Sequence, residues 1–233
     1  MIHIHKFLVN KKMNKKINIY KYHPTSKDEF IHNIIELLKD NIYDLNCIDT
    51  SNITDMSNLF DDIKNKIKMP LYDEKINISD WDVSNVEDMS DMFYECAKFN
   101  CDISNWNVSN VTNMSNMFNG CHNFNQSLND WDVSNVKNMS CMFEFCHNFN
   151  KTLNKWNVSN VEDTSYMFCQ CLKFNQDLSN WNVSKVKDMT NMFDGCESFN
   201  QPLNDWNVSN VKSMENIFKG CKSLKNKPSW YRE

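Results

Sequence analysis

Apolar and polar positions alternate along this chain in a pattern that returns every 25 residues. Trp81, Trp106, Trp131, Trp156, Trp181 and Trp206 open six units. Each Trp is followed two residues on by a valine (Val83, Val108, Val133, Val158, Val183, Val208) and five residues on by another (Val86, Val111, Val136, Val161, Val186, Val211). Twelve residues on comes a phenylalanine (Phe93, Phe118, Phe143, Phe168, Phe193, Phe218), and an Ile or Leu such as Ile103 or Leu128 precedes the next Trp by three. Self-similarity at this period marks a fold in which one unit cannot bury its own apolar face and must stack on copies of itself.

Each unit reads as two halves. In LNDWDV, Leu128 to Val133, period-2 spacing predicts a short strand with Trp131 and Val133 on one face. In VKNMSCMFEFC the apolar Val136, Met139, Met142, Phe143 and Cys146 fall at helical spacing. Ser140, with Ser90, Ser115, Ser165 and Thr190 at the same place, is the expected N-cap of that short helix. The predicted fold is therefore an α/β repeat solenoid of about seven coils, with a short parallel strand and a helical turn per coil. Parallel strands about 4.8 Å apart would make it a rod on the order of 35 Å long, with Trp and Phe stacked in ladders.

The seventh coil lies upstream. Ile48 to Phe60 matches Trp81 to Phe93 with Ile48 in the Trp place, but its spacing to the next unit is 33 residues, so the surplus should loop out within Lys64 to Lys75. Before it, a Ser26/Glu29 capping box opens a helix running to about Asp40, with Phe30, Ile34, Leu37 and Leu38 on one face. The expected organisation is a disordered basic tail at 1–16, an N-terminal cap of strand and helix at 17–47, a degenerate coil at 48–80, full coils from 81 to 221, and a C-terminal cap at 222–233. Met13 competes with Met1 as the start.

Composition narrows the class. Three glycines and four prolines leave little left-handed turn chemistry, which argues against hairpin-rich sandwiches and barrels. Residues 1–30 hold seven Lys and two acids, while the remainder carries 18 basic and 28 acidic residues, so the body should repel nucleic acid and anionic membrane. The basic run has no apolar segment longer than Phe7-Leu8-Val9, which excludes a signal peptide or a membrane span there. Eleven Asn-x-Ser/Thr sequons on repeat positions disfavour a eukaryotic secretory route. A cytoplasmic or host-cell interior location is expected, with the cell surface as the alternative.

Candidate chemistry is sparse. Cys96, Cys121, Cys146, Cys171, Cys196 and Cys221 fall on the repeat grid and read as structural thiols, because side chains in a parallel ladder point alike rather than at one another. Cys47, Cys101, Cys141 and Cys169 lie off the grid and are expected to be exposed. His122 and His147 are equivalent positions beside grid cysteines that point inward, so a four-ligand zinc site is hard to assemble. No metal or cofactor is expected. Asn100, Asn125, Asn150, Asn175 and Asn200 form one ladder, the better candidate for inward hydrogen bonding; Asn85, Asn110, Asn135, Asn160 and Asn210 form another, interrupted by Lys185. No Ser-His-Asp set, phosphate loop or metalloprotease motif occurs, so an enzyme is not expected.

The motif L-x-x-W-x-V followed by V-x-x-M-S-x-M-F-x-x-C-x-x-F-N, over roughly residues 20–225, resembles the BspA-like leucine-rich-repeat proteins of AT-rich bacteria and large DNA viruses. The resemblance implies a right-handed leucine-rich-repeat-like stack and a binding role, since members are mostly described as surface or secreted binding proteins.

Any ligand would be read by positions that vary between units. One such set is Glu87-Asp88, Thr112-Asn113, Lys137-Asn138, Glu162-Asp163 and Lys187-Asp188. A second is Tyr94-Glu95, Asn119-Gly120, Glu144-Phe145, Cys169-Gln170 and Asp194-Gly195. Phe145 and Tyr166 are the large apolar departures, and with Tyr94 and Glu144 they are the expected contact residues. The expected function is a non-enzymatic, monomeric protein-interaction scaffold; the alternative is a surface-displayed or exported adhesin.

Overall fold

The computed structural model describes residues 20–67 and 73–232. The helix α1 spans Lys27–Lys39. The Ser26 hydroxyl accepts from the Glu29 N–H, and the Glu29 carboxylate accepts in return from the Thr25 N–H at 2.9 Å. Phe30, Ile31, Ile34, Ile35, Leu37 and Leu38 are buried, with the Phe30 ring 5.0 Å from that of Trp81. So α1 lays its apolar face against the repeats and covers the N-terminal end of their core. It also contacts a second helix, α2, at Leu59–Ile67. The expected loop after the degenerate unit therefore begins as this helix, because Leu59, Phe60 and Ile63 bury one face. Residues 73–75 form a single 3₁₀ turn. Of the expected N-terminal strand, a bridge at Tyr22 to Ile48 is present; residues 17–19 lie outside those described.

The strand-plus-helix coil is overturned. Among the described residues, the six Trp units contain neither a helix nor a strand, only turns joined by single-residue parallel bridges such as Asp88 to Asn113 and Asn113 to Asn138. No α/β leucine-rich-repeat-like solenoid is seen. The reason is in the backbone: each unit holds two left-handed residues, ten and fourteen positions after its Trp. The first column is Asp91, Asn116, Cys141, Tyr166, Asn191 and Asn216; the second is Glu95, Gly120, Phe145, Gln170, Gly195 and Gly220. A left-handed residue cannot continue an α-helix. The amides consequently alternate in direction. Met89, Asp91, Phe93 and Glu95 donate to carbonyls of the next unit at 2.8 to 3.0 Å, while Met92, Tyr94 and Cys96 donate three residues back within their own turn.

Asp and Asn side chains set the remaining turns. One residue after each Trp, the side chains of Asp82, Asn107, Asp132, Asn157, Asn182 and Asn207 accept from the N–H two residues on. Asp88, Asn113, Asn138, Asp163 and Asp188 do the same for the residues expected to be helix N-caps, so Ser90, Ser115, Ser140, Ser165 and Thr190 close Asx-turns instead.

What stacks is the apolar set. Among the described residues twelve phenylalanines are fully buried, including a third aromatic column, Phe99, Phe124, Phe149, Phe174 and Phe199, whose rings lie 6.0 to 6.2 Å apart between units. Each contributes about 2 to 3 kcal/mol by burial. Trp106, Trp131, Trp156, Trp181 and Trp206 are 2 to 4% exposed, and each indole N–H donates at 2.7 to 3.2 Å to the buried Ile or Leu carbonyl three residues before the previous Trp. The polar atom of the core is thereby satisfied. The Trp81 indole reaches Leu45, and Trp230 extends the ladder by stacking 6.3 Å from Trp206.

Both asparagine ladders clamp neighbouring units from outside. Asn100, Asn125, Asn150 and Asn175 accept from the backbone N–H of the next Asn at 2.9 to 3.0 Å, at exposed or half-exposed positions rather than inward. Asn85, Asn110, Asn135, Asn160 and Asn210 donate to a serine carbonyl of the previous unit, while Lys185 reaches Asn160.

Candidate protein-interaction site

The second left-handed column and the residue before it form one face of the stack. On that face Tyr94, Glu95, Ala97, Asn119, Gly120, His122, Glu144 and Phe145 line a groove of about 430 Å³. Three of the four expected contact residues, Tyr94, Glu144 and Phe145, are thus brought together. Tyr166 lies outside it, in the first left-handed column one unit on. Ala97 was not legible as a groove residue. Glu95, Asn119 and Gly120 carried only the signal of variability, and His122 was weighed only as a metal ligand.

The groove owes its shape to backbone conformation. Gly120 stands in the same column as Glu95 and Phe145, and without a side chain it lets Glu95 pack closely against it. A Cβ there would meet the Glu95 Cα at 3.2 Å, on a residue whose φ is +77°. The core rings Phe93, Phe118 and Phe143 step 5.5 and 5.6 Å between these units, and Tyr94 and Phe145, from the first and the third, both line the groove. At the other interior glycine of the column, Gly195, the Gln170 amide fills the corresponding space.

Phe145 and Tyr166 are 41% and 36% exposed and share a φ of 58°. A bulky residue held left-handed is strained by roughly 1 to 2 kcal/mol, in columns where three of the six units use Asn or Gly and the rest use Asp91, Cys141, Glu95 and Gln170. Phe145 meets the edge of His147, and the His122 and His147 rings lie face to face with centroids 4.5 Å apart. His122 donates its Nδ1–H to the Phe145 carbonyl at 2.9 Å. Burial and then the neighbouring His122 hold the His147 imidazole below its ordinary pKa, favouring the neutral ring.

Glu144 accepts from the Asn119 amide at 2.9 Å, and burial raises its pKa above the usual carboxylate range. The Glu95 carboxylate, with burial, pushes the Tyr94 phenol up. Burial and then Glu144 push the Cys141 and Cys169 thiols to about 12. Cys169 is 6% exposed, which corrects its expected exposure; Cys47, Cys101 and Cys141 are half-buried. The grid cysteines Cys121, Cys146, Cys171, Cys196 and Cys221 each donate to a phenylalanine carbonyl of the previous unit, and all ten thiols are free. Among the described residues no group of three or more His, Cys, Asp and Glu is placed to hold a metal ion, and no helix is long and apolar enough to cross a membrane.

A larger depression, about 650 Å³, lies at the C-terminal end, where Lys212, Met214, Phe218, Lys227, Tyr231 and Arg232 are among its walls. Met214 and Phe218 there occupy core columns with no further Trp unit against them, so it reports the end of the repeat rather than a departure from it.

A family model described as "Mycoplasma protein of unknown function, DUF285" matches residues 29–143, 66–170 and 121–231, and the chain belongs to this family. No curated protein and no solved structure matches it. The identification is of a repeat family without an assigned function, coarser than the BspA-like kinship that the unit motif suggests.

Proposed function

We propose that this chain is a non-enzymatic protein-interaction scaffold that binds its partner through the face carrying the two left-handed columns. The observation that carries the reading is the pair Phe145 and Tyr166: the two large aromatic side chains of the left-handed columns, exposed, and held at a positive φ where three of the six units place Gly or Asn. Strain retained in a repeat whose own copies show the relaxed solution fits a residue kept for contact rather than for the fold. Rigid exposed aromatics are also the side chains that anchor protein interfaces. The BspA-like character of the unit motif supports a binding role.

The test is affinity capture with the folded chain and with a Phe145→Ala/Tyr166→Ala double variant, read by mass spectrometry. A partner retained by the native chain and lost by the double variant, with unfolding midpoints alike, supports the reading. Equal capture by both defeats it.

A further inference from the structure

We propose that the groove between Tyr94 and Phe145 receives one cationic side chain, lysine or arginine, presented by the protein partner. This rests on the scaffold reading above and specifies its chemistry.

The charge argument comes from the repeat. Four acids of the stack pair with a lysine 25 residues on, in the next unit: Asp130 with Lys155, Glu162 with Lys187, Asp194 with Lys219, Glu197 with Lys222. For the two acids of the groove the same step lands on Gly120 and Cys169. Among the described residues no ion pair falls on Glu95 or Glu144. Lys64, which approaches from α2, is committed to the Tyr94 carbonyl at 2.7 Å and does not line the groove. His122 has its Nδ1–H on the Phe145 carbonyl and its ring stacked on the His147 imidazole, and it forms no ion pair with either acid.

The groove therefore offers two carboxylates without a counter-ion beside two aromatic side chains. A cation over an aromatic face gains from the ring quadrupole, and its aliphatic stem covers apolar surface of the groove. Asn119 fixes the Glu144 carboxylate in place before the guest arrives. Glu144 is half-buried, so an arriving cation would meet less solvent screening there than at an exposed pair.

The experiment is an amide-resolved NMR titration of the full chain near neutral pH with N-acetyl-arginine amide and N-acetyl-lysine amide. The neutral citrulline and norleucine analogues serve as comparison. The expected result is saturable shifts at Asn119, Gly120 and His122 with a Kd of about 1 to 10 mM for the cations. Binding should be at least roughly fivefold weaker for the neutral analogues, a preference that added salt diminishes. A Glu95→Gln/Glu144→Gln variant, unchanged elsewhere in its spectrum, should lose the preference. Equal binding of norleucine overturns the cationic assignment while leaving an interaction face. No shift in the groove up to about 100 mM overturns it as well, since a cradle for one side chain saturates below that. If capture still depends on Phe145 after either failure, the scaffold reading survives alone; if it does not, both fall.

Discussion

Replacing Trp156 by alanine removes a 3%-exposed indole from the middle of the stack, together with its hydrogen bond to the Leu128 carbonyl at 2.7 Å. The ring lies 6.3 Å from Phe143 and 6.2 Å from Trp181, so the vacancy touches both neighbouring units and cannot be filled by one rotamer change. The transfer and cavity cost of such a truncation is about 3 to 5 kcal/mol. Losing the hydrogen bond adds about 1 kcal/mol, moderated because the Leu128 carbonyl keeps the Trp131 N–H at 3.1 Å. Urea unfolding should read the whole loss, and in a chain of this length it corresponds to a fall in Tm of roughly 10 to 20 °C. Trp230 is half-buried at the end of the ladder and contacts only one flanking unit, so Trp230→Ala should cost about 2 kcal/mol or less. Trp156→Phe, which keeps a ring and loses the N–H, should fall between. A Trp156→Ala protein within about 1 kcal/mol of the native one, or an end variant that costs as much as the middle one, would refute the stacked-ladder account.

Alkaline pH gives a second test. Burial raises the pKa of Cys121, Cys146, Cys171 and Cys196 well above the ordinary thiol value and that of Cys96 to about 12, so above about pH 9 the unfolded chain loses protons that the folded chain keeps. Stability should be full below that pH and decline as pH rises toward the folded values, by up to about 1.4 kcal/mol per pH unit for each buried thiol. Urea titrations in reductant should show that slope, and Cys146→Ala should lessen it; an unchanged slope would contradict the burial. Asp163→Ala removes the acceptor for the Ser165 N–H and hydroxyl at 2.9 and 2.7 Å and should cost about 1 kcal/mol in chemical denaturation. Gly120→Val places a branched side chain at a φ of +77° against the Glu95 backbone and should cost more than about 2 kcal/mol by the same assay, with no comparable loss at an exposed Lys137→Val.

The buried columns were legible because burial enforces a strict period. Trp131, Val133, Val136, Met139, Met142, Phe143 and Cys146 all pack inward, as their spacing requires. The secondary structure was not, since the same spacing in Val136 to Cys146 suits a helix and a sequence of turns equally well. The discriminating signal lay in the polar residues. All three glycines of the chain occupy one column, at Gly120, Gly195 and Gly220, and Asn116, Asn191 and Asn216 occupy the other left-handed column. Asp or Asn two residues before Ser, at Asp82-Val83-Ser84 or Asp163-Thr164-Ser165, was itself the turn, and reading the serine as a cap reversed the roles. Scarce glycine argued against hairpin-rich β folds but did not reveal how many left-handed positions the chain uses, because Asp91, Glu95, Cys141, Phe145, Tyr166 and Gln170 also adopt a positive φ. The groove was half legible. Tyr94, Glu144 and Phe145 stood out as departures between units, but only the fold shows that they share a hollow while Tyr166 does not.

The most direct measurement on the central claim is site-specific photocrosslinking. A benzophenone side chain is placed at position 145 and, as a control, at position 207 in the Asx-turn after the last Trp, and the chain is exposed to lysate of its own organism. The account predicts one dominant protein adduct from position 145, absent from position 207 and diminished by excess arginine-containing peptide. Adducts of equal yield and identity from both positions, or none from position 145 while untagged chain still captures a partner, would place binding elsewhere and contradict it.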